Sequence, residues 1–348
     1  MLNVQDKILV TGAGGFIGRR VVGSLLSHGV TNVACVVRPA RQSLSANEFG
    51  GECDPHCVDV LSGNLLSRED CLRVSRDAQV VLHLATGRGE KSYPDAYLNS
   101  VVTTRNLLEA CRQHRCLKRF VNVSSFAVYC TQPSYRNGLL DETCPLDAQP
   151  HLRGQAYCYA KVRQDELVQE YGRKHGLPYV LVRPGWVYGP GNEPIHSRVG
   201  IGTFGLFLHL GGSNRLPLSY VDNCAEAIVL AGTVKDVDGE VFNIVDDDLP
   251  TSRQFLRDYK REVKRFRSVY LPHGFSYLAC LLWEKYSAWS QGQLPPVFGR
   301  GTWYANWKKT AYSNAKLKQR LGWKQPVPTG EGLRRYFAAC REKEAAAQ

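Results

Sequence analysis

A glycine-rich turn near the start of the chain narrows the choice of fold more than any other feature. The segment 11–18 reads Thr-Gly-Ala-Gly-Gly-Phe-Ile-Gly and follows a short apolar run at 7–10. Behind the turn, apolar residues recur at helical spacing, at Ile17, Val21, Val22, Leu25 and Leu26. Gly12, Gly15 and Gly18 allow a tight strand-to-helix turn, and the N–H groups at the helix N-terminus attract anions. The segment therefore predicts a turn that binds the phosphates of a dinucleotide.

Buried apolar runs alternate with helical patterns over the following residues. The expected strands are 7–10, 33–37, 58–61, 80–84, 119–123 and 179–182, and the expected helices are 17–26, 96–114 and 157–175. Continuous apolar runs are typical of strands that are covered on both faces. The alternation predicts an α/β fold of the Rossmann type, with a doubly wound parallel sheet.

The pattern changes after Pro184, where glycine and proline break the chain into loops. A helix is expected at 222–232 and a strand at 241–245, followed by two short helices within 313–340 around Pro326 and Pro328. We therefore expect a dinucleotide-binding domain formed by 1–183 with about 220–245. The smaller C-terminal lobe, formed by 184–219 and 246–348, is expected to bind substrate.

Charge and composition restrict the partners and the compartment. The 348-residue chain has a net charge of +12, which favours a phosphorylated cofactor, a nucleotide-linked substrate or an anionic membrane surface. No nucleic-acid-binding module is recognisable, and no apolar segment reaches the roughly 18 residues of a membrane span. The first strand begins by about Lys7 with no apolar signal before it, so we expect a cytoplasmic protein.

Twelve cysteines are present, but their spacing does not suit a metal site. Cys53 and Cys57 flank His56, and Cys111 and Cys116 flank His114, yet neither pair forms Cys-x-x-Cys and no second pair follows. We expect reduced cysteines that pack in the interior, and no metal.

The residue after the second strand bears on the choice of cofactor. An acidic side chain there selects the free 2′-hydroxyl of NAD, whereas arginine accepts the 2′-phosphate of NADP. This chain has Arg38 at that position and Arg41 three residues later, with no acid from Val33 to Arg41. NADP is the expected cofactor, with NAD as the alternative and a solvated loop charge as the plainer interpretation of Arg38.

Tyr157 and Lys161 lie four residues apart in an expected helix, so both side chains point to the same side. A nearby ammonium favours the phenolate and suits the tyrosine to proton transfer. Tyr159 offers a second phenol, but its spacing to Lys161 does not place both on one face. Ser124 and Ser125 follow a buried strand, where a hydroxyl can orient a reacting oxygen, and the two compete for that role.

Together these residues resemble the extended short-chain dehydrogenase/reductase superfamily, which includes sugar-nucleotide epimerases and dehydratases. The resemblance covers nearly the whole chain. Its motifs match here at 11–18, His83-Leu84-Ala85, Asn99 with 101–108, Arg183-Pro184 with 187–191, and 220–223.

The resemblance implies roles for particular residues and an assembly. The Ser-Ser-Ser-Ala-x-Val-Tyr-Gly pattern of the family assigns the catalytic hydroxyl to Ser125, beside Tyr157 and Lys161. It also implies a homodimer, in which the helices 96–114 and 157–175 form a four-helix bundle across a two-fold axis. The cofactor-binding residues are then Gly12, Gly15, Phe16, Ile17, Gly18, Arg38, Asn64, Leu65, Leu84, Ala85, Asn99, Tyr157, Lys161 and Pro184.

Three departures from the family pattern bear on the substrate. Asn64 stands where an aspartate is usual, so an adenine contact would be made by an amide. Phe126-Ala127 replaces the Asp-Glu pair that eliminates water in the dehydratases. Trp186 replaces an asparagine of many sugar-nucleotide epimerases. With its aromatic C-terminal lobe, the chain also resembles the 3β-hydroxysteroid dehydrogenase branch, and Phe126 and Trp186 are candidate substrate contacts.

The segment 275–289 has an apolar stripe of Phe275, Leu278, Leu281, Leu282, Tyr286 and Trp289, and a basic run at 260–267 precedes it. It could form a lid or a helix on a membrane surface, and so give peripheral membrane contact. We favour the plainer interpretation, a helix of the lobe that packs on the core.

The function that these features favour is an NAD(P)-dependent oxidoreductase or epimerase that acts on a secondary alcohol or ketone. The substrate would be a nucleotide-sugar or a lipid- or sterol-like molecule. The alternative is a non-catalytic NADP-binding sensor or scaffold, against which the intact set of Ser125, Tyr157 and Lys161 argues.

Overall fold

A seven-stranded parallel sheet forms the centre of the computed structural model, which describes residues 5–39, 57–87, 92–130, 138–192, 195–203, 205–290, 293 and 299–346. The strands are β1 (Ile8–Thr11), β2 (Val33–Val37), β3 (Val58–Ser62), β4 (Val80–His83), β5 (Arg119–Val123), β6 (Leu139–Leu140), β7 (Tyr179–Pro184), β8 (Trp186–Tyr188), β9 (Gly200–Thr203), β10 (Leu206–His209), β11 (Leu218–Tyr220), β12 (Val241–Ile244), β13 (Ser268–Tyr270) and β14 (Ala311–Tyr312). The central sheet has the order β12-β7-β5-β4-β1-β2-β3.

The α-helices are α1 (Phe16–Ser27), α2 (Arg68–Val74), α3 (Tyr93–Ala96), α4 (Thr103–His114), α5 (Ala156–His175), α6 (Val221–Thr233), α7 (Ser252–Glu262), α8 (His273–Trp289), α9 (Arg300–Asn306), α10 (Ala315–Leu321) and α11 (Thr329–Ala346). Apolar residues of α1, α6 and α10 pack on one face of the central sheet, and those of α2, α4 and α5 pack on the other. Both faces are covered, which explains why the strands read as continuous apolar runs. The predicted doubly wound parallel fold is confirmed.

The helix predicted over 96–114 is not continuous. It begins as α3, passes through a π-helical turn at Tyr97–Val102 and resumes as α4. Thr103 Oγ1 donates to the carbonyl of Asn99, and Thr104 Oγ1 donates to the carbonyl of Ser100 at 2.6 Å. These hydroxyls bond to carbonyls one turn back, a local competition that accompanies a widened turn. The periodicity alone could not reveal it.

A second core, rich in aromatic residues, and three small sheets that the sequence did not indicate accompany the central sheet. Trp186, Tyr188, Tyr220, Phe255 and Tyr336 are buried together there. The small sheets pair β13-β10-β9, β11-β8 and β14-β6. Their strands are only two to four residues long, too short to show a period of two. The last helix, α11, has 18 residues and is longer than predicted.

The expectation that the apolar stripe of 275–289 packs on the core is wrong. α8 buries the small side chains of Ser276, Cys280 and Ser287. The large ones stay outside, with Phe275 69% and Trp289 77% exposed. The spacing of the apolar residues shows that they share one face of the helix, but it does not show which face packs on the core. Here the opposite face, with the small side chains, is the buried one.

No helix among the described residues is long and apolar enough to cross a membrane. Eleven cysteines lie in the described part of the chain, and all are reduced. Within the same part, no group of three histidine, cysteine or acidic side chains is arranged to hold a metal.

Arg41, Cys53 and His56, which the sequence singled out, lie outside the described residues. The division into a dinucleotide-binding domain and a substrate lobe stays a prediction.

Candidate active site

A cleft opens at the carboxyl ends of the parallel strands, beside β1 and β4. These two strands are neighbours, although α1 and β2 lead the chain away from β1 in the other direction. Such a reversal in strand order is where doubly wound sheets bind ligands. The cleft has a volume of about 1250 Å³, and its lining brings together residues from distant parts of the chain, among them Gly12, Gly15, Phe16, Ile17, Gly18, Arg38, Asn64, Leu65, Leu84, Ala85, Asn99, Ser124, Ser125, Tyr157, Lys161, Pro184, Trp186 and His196.

The glycine turn is tight enough that side chains are excluded from it. Gly12 has a φ of 73°, a left-handed conformation that favours glycine. A Cβ at Gly18 would lie 2.2 Å from the carbonyl oxygen of Gly12. Gly15 N donates to that same oxygen at 2.9 Å and closes the turn. The backbone is therefore open to the cleft at the start of α1, and the turn fits the pyrophosphate of a dinucleotide.

The adenosine end of such a dinucleotide would lie over β2 and the loop after β3. Arg38 is exposed and lines the cleft directly after β2. Asn64 Oδ1 accepts from Leu66 N at 3.1 Å, so its carbonyl group is used within the loop. Asp70 accepts from Asn64 N at 2.8 Å, and this bond, with Arg73 beside it, lowers the pKa of Asp70. The Asn64 loop is thus fixed by its own contacts.

Lys161 is a buried cation in the wall of the cleft, with only 2% of its surface exposed. Its Nζ donates to the carbonyl oxygen of Val123 at 2.8 Å and to Gln164 Oε1 at 2.9 Å. An ammonium in such a place is costly unless it is hydrogen-bonded. These two acceptors hold it at the carboxyl end of β5, beside Ser124 and Ser125.

A chain of buried hydrogen bonds connects Lys161 to the glycine turn. Gln164 Nε2 donates to Thr104 Oγ1 at 2.7 Å, and His83 Nε2 lies 2.8 Å from the same oxygen. On its other side, His83 Nδ1 lies 2.8 Å from Thr11 Oγ1. Thr11 Oγ1 in turn accepts from Ala85 N at 3.2 Å. The network spans β1, β4, α4 and α5 and fixes both walls of the cleft.

The network also sets the protonation of His83. Thr104 Oγ1 donates its proton to the carbonyl of Ser100, so His83 Nε2 must donate to Thr104 Oγ1 and Nδ1 must accept from Thr11. Burial, and then the charge of Lys161, lowers the pKa of His83 to about 3. The imidazole is therefore neutral, and every polar atom of this ring has a partner.

Tyr157 lies one turn before Lys161 on α5, where its side chain is 40% exposed and lines the cleft. Ser125 also lines the cleft, and its Oγ accepts from Ala127 N at 3.2 Å. Ser124 is buried beside it, and its Oγ has no hydrogen-bond partner among the described residues. Tyr159 packs instead against Tyr93 and Tyr97 and does not line the cleft.

Trp186 and Phe126 occupy different surroundings. Trp186 is among the residues that line the cleft, although only 7% of it is exposed, and its ring packs against His196 with ring centroids 5.1 Å apart. Phe126 is buried in the core of the lobe, stacked on Tyr312 at 5.8 Å, and is not among the lining residues described. Of these two residues, only Trp186 contributes to the apolar part of the cleft lining.

Two buried polar residues of the network behind the cleft, Thr104 and Gln164, were missed by the sequence reasoning. Gln164 follows Lys161 by three residues and so lies on the same side of α5. That spacing was a usable signal. Thr104 gave none, because its contact with Gln164 depends on how α4 and α5 pack.

The model of the NAD dependent epimerase/dehydratase family matches residues 8–245. An uncharacterized UDP-glucose epimerase of Bacillus subtilis is 27% identical over an alignment of 252 residues, and the match covers 68% of this chain and 76% of that protein. A decarboxylating sterol-4-alpha-carboxylate 3-dehydrogenase of Candida albicans is 27% identical over 264 residues, 70% and 71% of the two chains.

Other relatives are longer, and a solved structure has the same fold. The chain spans 36% of a trifunctional Arabidopsis thaliana enzyme, a UDP-glucose 4,6-dehydratase, epimerase and reductase, with 26% identity over 252 residues. The UDP-glucuronic acid 4-epimerase of Bacillus cereus, solved in complex with NAD, superposes with a TM-score of 0.70. It is 21% identical, and the match covers 97% of each chain.

Proposed function

Because this chain belongs to the NAD dependent epimerase/dehydratase family and is an NAD(P)-dependent enzyme of the extended short-chain dehydrogenase type, we propose that Tyr157, Lys161 and Ser125 carry its proton transfer. The reaction is oxidation or reduction at the carbinol carbon of a secondary alcohol or ketone, with or without epimerisation. One observation carries the proposal: the buried Lys161 ammonium lies in the same cleft as Tyr157, Ser125 and the glycine turn.

The nicotinamide, when bound, supplies the acceptor and donor of a hydride. Gly12, Gly15 and Gly18 would hold the pyrophosphate of the cofactor, and Pro184, which lines the same cleft, would contribute to the cofactor site. Lys161, held by Val123 and Gln164, stabilises negative charge on the phenol oxygen of Tyr157. Ser125 donates a hydrogen bond to the substrate oxygen and orients it toward Tyr157.

The form of the cofactor is proposed to be NADP. The exposed guanidinium of Arg38 at the end of β2 supports this, since it can pair with a 2′-phosphate. NAD is the alternative, and it is bound in the Bacillus cereus epimerase structure.

The substrate is proposed to be a nucleotide-sugar or a lipid- or sterol-like alcohol, the two classes named among the relatives. The Trp186 wall favours an apolar face on that substrate. Dehydration is not proposed, because Phe126 and Ala127 cannot act as acid and base. A 4-keto-6-deoxy product from UDP- or dTDP-hexoses would contradict this part of the proposal.

A homodimer is proposed through the helical segments 93–114 and 156–175, which lie on one face of the central sheet. Light scattering of the purified chain at micromolar concentration tests this proposal. A monomer would contradict it.

The exchange Tyr157→Phe tests the proton-transfer role. It removes only the phenol oxygen, so turnover should fall by about a hundredfold to ten-thousandfold while dinucleotide affinity stays within about twofold. Activity can be followed through nicotinamide absorbance with a panel of UDP-sugars and 3β-hydroxysteroids. Tyr159→Phe, on the same helix but outside the cleft, is the matched control and should keep its activity. A Tyr157→Phe enzyme that retains most of its turnover would refute the assignment.

A further inference from the structure

The outward face of α8 is an unusual surface, which we call the α8 stripe. It consists of five large apolar side chains with the following exposed fractions: Phe275 69%, Leu278 49%, Leu282 58%, Tyr286 51% and Trp289 77%. With about 100° between successive residues, all five fall within an arc of about 80°. Together they expose on the order of a few hundred Å² of apolar surface, an amount that marks an interaction site.

Contacts on the inner face of α8 fix this orientation. Trp303 Nε1 of α9 donates to Ser276 Oγ at 3.0 Å, and the rings of Tyr277 and Trp303 meet edge to face at 5.1 Å. Arg300 pairs with Glu284 at 3.0 Å on the same side. The helix is therefore docked through polar and aromatic contacts, and the stripe points away from its own chain.

The charges around the stripe suit an anionic surface. Glu284 is the sole acidic residue in the sequence of α8, and it lies on the inner face. Lys285 is exposed and borders the stripe in helical projection. Arg265 and Arg267 are exposed in the segment just before β13, the strand that leads into α8. Self-association through this face would bring its own exposed cations together, which disfavours a second copy here.

The aromatic end of the stripe favours a lipid surface over a protein groove. Tyr286 and Trp289 stack with ring centroids 5.7 Å apart, and both are exposed. Tyrosine and tryptophan concentrate at the boundary between lipid headgroups and acyl chains, where one part of the ring is apolar and another is hydrated. At 17 residues, α8 would lie along the surface rather than span it.

We propose that the α8 stripe docks this protein on an anionic membrane surface. Phe275, Leu278, Leu282, Tyr286 and Trp289 enter the boundary between headgroups and acyl chains. Lys285, Arg265 and Arg267 face the lipid phosphates. The cleft and its chemistry do not enter this inference, so its test is independent of the proposed function.

The test is sedimentation of the full chain with vesicles of phosphatidylcholine alone and of phosphatidylcholine with about a third phosphatidylglycerol. The wild type should bind the anionic vesicles and much less of the neutral ones. Leu278→Ser/Leu282→Ser should lower the partition coefficient at least about tenfold. Leu139→Ser, an exposed leucine outside α8, is the matched control and should bind like wild type. Because these positions are exposed, dinucleotide binding should be unchanged in all variants.

Two further variants keep the test decisive. Lys285→Glu keeps the apolar stripe but should weaken binding to anionic vesicles alone. Trp289→Phe should remove the blue shift in fluorescence that vesicles are expected to cause. Wild-type protein that stays in the supernatant at low salt would overturn the proposal. So would a double variant that binds as well as wild type, or a wild-type dimer that the double variant dissociates, since a second copy would then cover the stripe.

Discussion

The cleft edge of the central sheet and the outward face of α8 differ in which side chains they bury. The cleft edge buries polar side chains, and α8 leaves large apolar side chains exposed. At the cleft edge, Thr11, His83, Thr104, Gln164 and Lys161 form one buried network in which neighbouring polar atoms are partners. On α8, small side chains are buried and large apolar ones are exposed. Residue identity is explained in the first region by contacts within the chain. In the second region no contact among the described residues covers the large apolar side chains, and the proposed membrane contact would explain them.

The largest effect of a substitution is expected at the cleft edge, in the glycine turn, where the backbone leaves no room for a side chain at Gly18. In Gly18→Ala the new Cβ would meet the Gly12 carbonyl oxygen at 2.2 Å and Ala13 Cα at 2.8 Å, so the turn must open. Dinucleotide affinity should fall at least about a hundredfold, because the N–H groups of the turn lose their alignment. Fluorescence titration with NADPH measures this. Gly330→Ala, whose Cβ meets nothing within 4 Å, should bind normally. Unchanged affinity in Gly18→Ala would argue against the pyrophosphate site.

A smaller effect is expected from the middle of the network, and it depends on the proposed role of Lys161. Gln164→Leu removes the oxygen that accepts from Lys161 Nζ and the amide group that donates to Thr104 Oγ1. Turnover should fall about tenfold to a hundredfold, since a poorly held ammonium stabilises the phenolate less. The limb of the kcat/KM profile that reports Tyr157 should move to higher pH; this is the acidic limb for oxidation, where the phenolate is the base, and the basic limb for reduction, where the phenol is the acid. Gln164→Glu keeps the acceptor and should restore much of the profile. If Gln164→Leu lowers the free energy of unfolding but leaves the pH profile of kcat/KM unchanged, Gln164 has only a structural role.

A substitution at the rim of the cleft, at Arg38, should have a smaller effect than those in the glycine turn or the buried network. Arg38→Ala is expected to reduce the preference for NADPH over NADH about tenfold, since one charge-assisted contact to the 2′-phosphate is lost. Dissociation constants for both cofactors measure this preference. Arg112→Ala, an exposed arginine paired with Glu109 on α4, is the control and should leave the ratio unchanged. Equal ratios in wild type and Arg38→Ala would leave Arg38 as a solvated loop charge.

The pH dependence of stability should report the buried network directly. The pKa of His83 is about 3 in the folded chain and about 6.5 in an unfolded one. Between these values the unfolded state binds one more proton, so the free energy of unfolding falls with falling pH by up to about 1.4 kcal/mol per unit from this residue. In His83→Gln the slope should be smaller by that one proton, whatever the stability at pH 7. Denaturant titrations at several pH values test it, and equal slopes would contradict a neutral, buried His83.

The fold followed from the sequence wherever one physical rule fixed the residue type. Strands covered on both faces read as apolar runs, and the bounds 33–37 and 119–123 agree with β2 and β5. The π-helical turn before α4 and the short strands β8 to β11 could not be predicted, because side-chain bonds and tertiary pairing decide them. The exposed stripe of α8 could not be predicted either, since periodicity does not tell which face a core accepts.

The residues of the site whose positions follow from backbone geometry and helical spacing could be predicted from the sequence. The glycine turn, Tyr157 and Lys161 were identified by spacing, and all line one cleft. Ser124 and Ser125 both line it too, so geometry leaves the choice between them to the family pattern. Phe126 was a candidate substrate contact because of its position in the family pattern, yet its ring is stacked on Tyr312 and it is not among the residues that line the cleft. Side-chain direction at such a turn depends on packing that the sequence does not display.

The central claim is that one cleft binds a dinucleotide through the glycine turn and performs chemistry beside Lys161. The most direct measurement is mass spectrometry of small molecules released from the purified wild type, Tyr157→Phe and Gly18→Ala, after saturation with NADPH and gel filtration. We expect about one dinucleotide per chain for the wild type and for Tyr157→Phe, and almost none for Gly18→Ala. Wild-type protein that retains no dinucleotide, or Gly18→Ala protein that retains it in full, would show that the glycine turn is not the dinucleotide site.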